Sequence, residues 1–323
     1  MSRNLLLSAL TLGLLVAVMV SLLTGRGAGI SIPAWDWQTQ LILWEIRLPR
    51  TLLAAICGAV LGMAGAVLQG WLRNPLADPG VLGISSMAAL GAVIAMYFGL
   101  FAMSWMLPVA GIVGAILGFW ILITMIGRES GILLIVLAGA ALNAFSAAFT
   151  ALLLNLAPNP FAVQDMLFWL MGSFEHRSHE HLMLVALPVV VGGVMLYRVA
   201  PALDVMALGE KTAHSLGVSE RRMLWSIGLG TALAVGACVS VAGVIGFAGL
   251  VVPHLLRPLT QWQPRLLVLP SAIAGALLLV SADILVRLLP PGQELRIGVV
   301  TALLGGPFFL WLLKHVRRAE VEL

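Results

Sequence analysis

Charge is scarce in this 323-residue chain: Asp, Glu, Lys and Arg make up 10% of it, 61% is hydrophobic, and the mean hydropathy is +1.05. So few polar side chains cannot cover the surface of a soluble domain of this length, which excludes a water-soluble fold. Cysteine is almost absent. Cys57 and Cys238 each sit inside an apolar run without paired spacing, which argues against a disulfide framework or a thiolate metal site and leaves both as packing residues. Segments of alternating polarity about ten residues long, the mark of an outer-membrane barrel, are also missing, since residues 51–72 and 267–286 are almost continuously apolar. No phosphate-binding loop of the GxxxxGK type appears, nor HExxH, GxSxG or a carboxylate pair within a plausible pocket. The chain is therefore not read as an enzyme, no cofactor or metal is assigned to it, and any energy source lies on another subunit.

What is present is apolar and helical. The 34 glycines and 16 prolines fit membrane helices, where close packing and neighbouring groups replace lost backbone partners. At about twenty residues per span, helices are expected near 4–23, 51–71, 81–100, 106–126, 132–155, 181–200, 223–242, 244–256, 267–289 and 297–315. The eighth falls short of the ~30 Å hydrocarbon layer, so it is either tilted within the protein or preceded by a re-entrant turn. The expectation is an all-α polytopic membrane protein with about ten spans, forming one transmembrane domain over residues 1–323.

An even count places both termini on one side. With both in the cytoplasm, Arg3, Arg73, Arg128, Arg198, Lys211, Arg221, Arg222, Arg257, Arg265, Lys314, Arg317 and Arg318 lie inside and Arg26, Arg47, Arg50, Arg177, Arg287 and Arg296 outside. Twelve against six satisfies the positive-inside rule. The formal charge of +4 thus marks topology and not a nucleic-acid partner, because the basic residues sit at the ends of apolar runs. Arg3 before an apolar run, with Gly25, Gly27, Ala28 and Gly29 after it, also fits a signal peptide, but the length of segment 4–23 favours a retained helix. Residues 58–67 (GAVLGMAGAV) and 236–245 (GACVSVAGVI) share a Gly-Ala start and an Ala-Gly pair at the same spacing, five helices apart. An inverted repeat and an ordinary small-residue packing seam both explain that match.

Few side chains could carry chemistry. Asp283, four residues before Arg287, reads as a local ion pair in preference to a proton relay. Arg47 and Arg50 flank Pro49 where the second span enters from the outer face, as interfacial anchors or as a docking surface for acidic side chains. Residues 69–86 contain Asn-Pro, Asp-Pro and three glycines, which force an irregular turn. A second break falls at Pro253-His254 and Pro258, with His254 read as a structural histidine. Residues 204–217, the longest inner loop, suggest one or two short helices, either a solvated connector or an element fitting a groove on a cytoplasmic partner. The outer loop 174–181 gathers His176, His179, His181, Glu175 and Glu180, a set able to bind zinc or iron but more often simply solvated.

Taken together, Arg47-Leu48-Pro49-Arg50, Asn74-Pro75-Leu76-Ala77-Asp78-Pro79-Gly80 with Leu82-Gly83, and Ala207-Leu208-Gly209-Glu210 with Leu216-Gly217-Val218 resemble the FecCD family of permeases. Gly246 through His254 with Arg257, Asp283 with Arg287, and Glu294 through Gly298 with Thr301 and Gly305-Gly306-Pro307 follow in the family's order, so the resemblance spans about residues 44–315. It implies the transmembrane subunit of a type II ABC importer for iron(III)-siderophore, cobalamin or haem, with the siderophore placed first and a secondary transporter as a remote alternative. It further implies a homodimer in the bacterial inner membrane, two ATP-binding subunits below and a periplasmic substrate-binding protein above. Arg47, Arg50 and Arg287 match the family's docking positions, and Ala207, Leu208, Gly209, Glu210, Leu216 and Gly217, within coupling helices at about 204–220, match its ATPase contacts. Two features depart from the family: Arg296 stands where proline is usual before Ile297-Gly298, and the histidine-rich loop is no family signature.

Overall fold

The computed structural model describes residues 3–25, 29–30, 36–100, 103–127, 131–289 and 295–321. Arg26, Gly27, Ala28, Arg128 and Glu294, used in the readings above, lie outside them.

Thirteen helices carry the described chain: α1 (Arg3–Leu23), α2 (Trp37–Ile42), α3 (Leu48–Trp71), α4 (Ile84–Tyr97), α5 (Met106–Ile126), α6 (Ile132–Asn155), α7 (Pro160–Leu170), α8 (His179–Ala207), α9 (Glu210–Ser215), α10 (Glu220–Ala242), α11 (Ala248–Leu256), α12 (Pro264–Leu288) and α13 (Ile297–Val321). Thr24–Gly25 pairs antiparallel with Gly29–Ile30, a link too small to change the all-α class. Seven helical segments are long and apolar enough to span a membrane, and α4, the apolar part of α13 and α11 supply shorter segments at the other expected positions. The expectation of about ten therefore stands as an approximate count.

Local chemistry sets the ends of these elements. Asp36, Asn159 and Ser219 cap α2, α7 and α10, each accepting from a backbone N–H of the first turn. Ser178 and His181 form a reciprocal capping box at α8. A π-helical stretch at Leu43–Arg47 fuses α2 to α3, so the second apolar segment begins at Trp37, well before residue 51. Asp204–Ala207 is the last turn of α8, and only Glu210–Ser215 forms a separate short helix in the loop expected over 204–220.

Burial separates centre from rim. Of the most apolar window, 72% is buried in α2–α3 and 78% in α10, against 17% in α1 and 22% in α8. The central helices approach their neighbours backbone to backbone. A Cβ on Gly58 would lie 2.1 Å from the Gly275 carbonyl oxygen, and one on Gly65 would lie 1.8 Å from that of Gly249. On α10, a Cβ at Gly236 would fall 2.4 Å from Ala115 Cβ. Without a solvent-driven hydrophobic force between helices in lipid, such close packing is the main cohesion available. The two glycine-rich segments thus both serve as packing seams, α3 against α12 and α10 against α5. In a five-helix repeat the pair α3–α12 would correspond to α10–α5. Cys57 and Cys238 are buried where these two central helices meet, with the Cys238 thiol within hydrogen-bonding reach of Cys57.

Candidate functional site

The third and eighth apolar segments, five apart, are both short: α4 has 14 residues and α11 has 9. At 1.5 Å per residue neither crosses ~30 Å, and each is preceded by irregular chain. Before α4, Asp78 caps a single 3₁₀ turn over Pro79–Leu82, which ends on Gly83 at φ 73°. Before α11, the chain passes through Gly243 at φ 74° and Phe247 at φ 65°, so helix begins at Ala248 and not at 244. An irregular turn thus precedes the short eighth segment. Paired interrupted segments in corresponding halves point to the substrate path of a transporter.

A cleft of about 300 Å³ lies there, lined by Ser86 of α4, Asn143, Ser146 and Thr150 of α6, and Val244 of the second break. Helical spacing puts the three α6 side chains on one face. Asn143 is fixed from both ends: its Nδ2 donates to the Gly80 carbonyl at 2.8 Å, and its Oδ1 accepts from the Ser86 hydroxyl. Gly139, one turn earlier, admits the Val81 carbonyl where a Cβ would lie 2.0 Å from it. Ala89, Ala147, Ala151 and Leu154 make the rest of the wall apolar, and Ser146 donates to the Leu142 carbonyl at 2.8 Å, so these polar groups are satisfied within the bundle. Sequence reasoning missed this face, although the 143–146–150 polar stripe in an apolar helix was its signal.

At the end of the bundle where α3 begins and α12 ends, three of the flagged charges meet. Asp283 accepts from Arg50 at 2.8 Å (Nη2) and 2.9 Å (Nε), and from Arg287 at 3.1 Å. The Asp283–Arg287 pair was legible from the spacing, and Arg50 joins it. Arg287 is 3% exposed and also donates to the Ser21 hydroxyl and to the backbone carbonyls of Ser21 and Thr24. Arg47 donates to the Leu22 carbonyl at 2.8 Å and is partly exposed. The arginines therefore tie α1, α3 and α12 together at one end of the bundle, and with one carboxylate among them the cluster keeps a surplus of two positive charges.

Near that end, the histidine-rich loop disperses its side chains. His179 Nε2 bonds the Trp44 carbonyl at 2.6 Å, His181 Nδ1 bonds Ser178, and His176 is exposed at φ 56°. Glu175 pairs with Arg296 at 3.6 Å, and Arg296 also lies 5.1 Å over the Phe168 ring. Among the described residues no three His, Cys, Asp or Glu side chains gather closely enough to hold a metal. Arg296, the departure from the family's proline, thus links the α7–α8 loop to the start of α13. Backbone bonds from Ile297 to Gly172 at 3.0 Å and from Gly298 to Met171 at 3.1 Å reinforce the junction. Arg177 in the same loop is densely enclosed, and burial draws its guanidinium down to about 10, which leaves it protonated at neutral pH.

At the opposite end, α9 is set off by Gly209 at φ 109° and Gly217 at φ 83°. Ala213 is buried, while Leu208 and Leu216, at 66% and 62% exposure, flank the helix as free apolar side chains. Arg73 donates to the Met206 carbonyl at 2.7 Å and fastens the end of α3 to the base of this loop. Ala207 and Lys211 are exposed beside it. The second break is held separately: Arg257 donates to Gln69 Oε1 at 3.0 Å, and Gln69 Nε2 donates to the Leu250 carbonyl at 3.2 Å. His254 makes an edge contact with Phe308, 5.8 Å between ring centroids.

Seven long apolar segments, with two interrupted segments and a cleft between them, mark a multi-pass membrane transport subunit. The profile of the FecCD transport family matches residues 5–315, and the chain belongs to that family of permeases. It is 43% identical over 314 residues to the vitamin B12 import system permease of Vibrio cholerae, covering 95% of this chain and 93% of that protein. It is 37% identical over 327 residues to the hemin transport system permease of Yersinia pestis, covering 95% and 96%. A solved metal-chelate type ABC transporter in an inward-facing conformation superimposes with a TM-score of 0.89 at 30% identity, covering 97% of this chain and all of that one.

Proposed function

We propose that this chain is the permease of an ATP-driven importer in the bacterial inner membrane, and that its cargo is a cobalamin. The 43% identity to a vitamin B12 permease over almost the whole of both chains carries the choice of cargo. Haem is the second reading, favoured by the 37% relation to a hemin permease. An iron(III)-siderophore, placed first by the sequence resemblance, is the third cargo to compare. The cleft beside Asn143, Ser146 and Thr150 carries no charged group, so it offers a chelate no ion pair that would retain it. Selection then rests with a periplasmic substrate-binding protein.

In this reading two copies form the path between them, with α6 and α13 as the faces that meet, since both expose long apolar rows such as Leu133 and Leu137 or Leu303 and Leu310. Both termini are cytoplasmic, with α9 on the same side, where Leu208 and Leu216 offer apolar anchors to each of two ATP-binding subunits. The chain hydrolyses nothing itself. Closure of the ATP-binding subunits moves α9, and Arg73 passes the movement to α3 as a rigid-body displacement. On the outer face Arg47, Arg50 and Arg287 supply the positive field that receives acidic side chains of the binding protein. Arg47 contacts that protein most directly, and Arg287 acts from within the Asp283 cluster.

The test is uptake in a cell lacking its own corrinoid, haem and siderophore permeases and carrying this chain with its partner genes. Accumulation of labelled cobalamin, outpacing haemin and ferric siderophore, is expected. Equal failure with all three would overturn the importer, and uptake of another of them would reassign the cargo. In the same cells Arg47→Glu should weaken capture of the binding protein while ATP hydrolysis by the detergent-solubilised complex continues. Unchanged capture would remove Arg47 from the docking surface.

A further inference from the structure

Away from the path and both docking surfaces, α1, α8 and α12 enclose a cleft of about 270 Å³ at the end of the bundle that carries α9. Three guanidinium groups converge on it from three separate helices: Arg3 from the first turn of α1, Arg198 from α8 and Arg265 from the first turn of α12. All three residues are exposed. No carboxylate or hydrogen-bond acceptor among the described residues is engaged by any of the three guanidiniums. The nearby acid, Asp204, is turned to the backbone N–H of Arg265 at 2.9 Å, so the cleft retains a positive surplus. Elsewhere the chain's arginines are used differently, as at Arg50, Arg73, Arg257 and Arg287, where carboxylates, amides or carbonyls take up the guanidinium donors.

The depth of the cleft identifies what it faces. Helix α8 has 29 residues, about 43 Å of helix, so its last turns run past a ~30 Å hydrocarbon layer. The apolar run of α8 is Leu182–Tyr197, between His179-Glu180-His181 at one end and Arg198 at the other, which puts Arg198 and Pro201 just past it, at the level of lipid headgroups, with Tyr197 at the boundary. Tyrosine at this depth is an interfacial anchor. The walls change character in the same direction: arginines and the Tyr197 ring line the cleft together with Ala200, Leu266 and Leu269. A cationic cleft with apolar wall positions, set between two rim helices that are mostly unburied, matches an amphiphile with an anionic head and hydrocarbon tails. Guanidinium groups bind phosphate oxygens in bidentate fashion, which suits a phosphodiester better than a diffuse ammonium cluster would.

We propose that Arg3, Arg198 and Arg265 form a binding site for the phosphate of an anionic glycerophospholipid from the surrounding bilayer, seated between α1, α8 and α12. The site is independent of which chelate is transported. It ties α1, the least buried span, to α12 at the end opposite the Arg287 cluster, so lipid occupancy at one end complements the internal ion pairs at the other.

Native mass spectrometry of the full permease in its purified complex tests the site, with phosphatidylglycerol and phosphatidylcholine supplied together at equal concentration. Wild type should retain phosphatidylglycerol in preference, and each arginine removed should lower that retention about fivefold. The comparison is between Arg3→Gln/Arg198→Gln/Arg265→Gln and Arg221→Gln/Arg222→Gln, which removes charge at the same end outside the cleft. Selective loss in the triple variant supports the site. Equal loss in both variants, full retention in the triple variant, or equal retention of the two lipids by wild type overturns it. Should the triple variant fail to fold, Arg198→Gln alone, on an exposed helical position, must still show the single-site drop or the proposal fails. Displacement of the lipid by inorganic phosphate that itself stays bound would assign the cleft to a soluble anion. Loss of an ATP-binding subunit instead of lipid would assign it to a protein partner, and either result refutes the lipid site.

Discussion

Asp283 is the side chain on which the end of the bundle where α3 begins and α12 ends depends. It is 1% exposed and pairs with two guanidinium groups, that of Arg287 being buried. Removing one partner of a buried charge cluster leaves the other desolvated without compensation, at about 3–5 kcal/mol. Asp283→Ala is therefore expected to lower the thermal unfolding midpoint of the detergent-solubilised protein sharply, and Asp283→Ala/Arg287→Leu to recover part of the loss. A double variant no more stable than the single would show that Arg287 is held by the Ser21 and Thr24 contacts alone. Spacing made half of this cluster legible, because Asp283 and Arg287 stand one helical turn apart. Its other half was hidden: Arg50 lies 233 positions from Asp283, and the backbone carbonyls that receive Arg47 and Arg287 leave no trace in sequence. Reading the outer arginines as surface charge followed from their place at span ends, and the structure adds that they are also internal struts.

Among the elements, the long uninterrupted spans were the easiest to read, since α5 and α6 begin and end at the residues expected. What resisted was short or broken helix. The eleven residues of α7 depend on the Asn159 cap and Pro160, and α2 on Asp36; neither has the length that marks a span. The start of α11 is fixed by a left-handed Phe247, a conformation set by its surroundings and not by phenylalanine itself. The contact of α3 with α11 offers a direct test. A methyl group at Gly65 would meet the Gly249 carbonyl at 1.8 Å, so Gly65→Ala should force the two helices apart and cost about 1–3 kcal/mol. Gly193, with open space around it, is the control and should accept alanine without loss. Equal midpoints for the two variants would remove backbone contact as the basis of that seam. At α9, Leu208→Asp is expected to reduce copurification of the ATP-binding subunit while the permease still folds, because the side chain is 66% exposed within this chain. A complex that copurifies and transports normally would exclude Leu208 as an anchor.

As a whole molecule the permease is built around two buried central helices, α3 and α10, with a pair of shortened segments beside them and mostly exposed apolar helices outside. Its composition made the membrane class plain, and the ordered motifs made the family plain. The cleft did not stand out, because its walls come from α4, α6 and the second break and form a hollow only when those elements meet. Assembly can be measured directly: native mass spectrometry of the complex should give two permeases with two ATP-binding subunits, and a permease that transports without either would overturn the importer reading. The distance in sequence between Arg50 and Asp283 also sets an order of events during synthesis. At roughly 5–20 residues per second, Asp283 emerges about ten to fifty seconds after Arg50 has entered the bilayer. Throughout that interval the earliest helices hold guanidinium groups without their carboxylate, so a nascent chain that stalls before α12 presents quality-control proteases with a half-built bundle whose first spans cannot yet close.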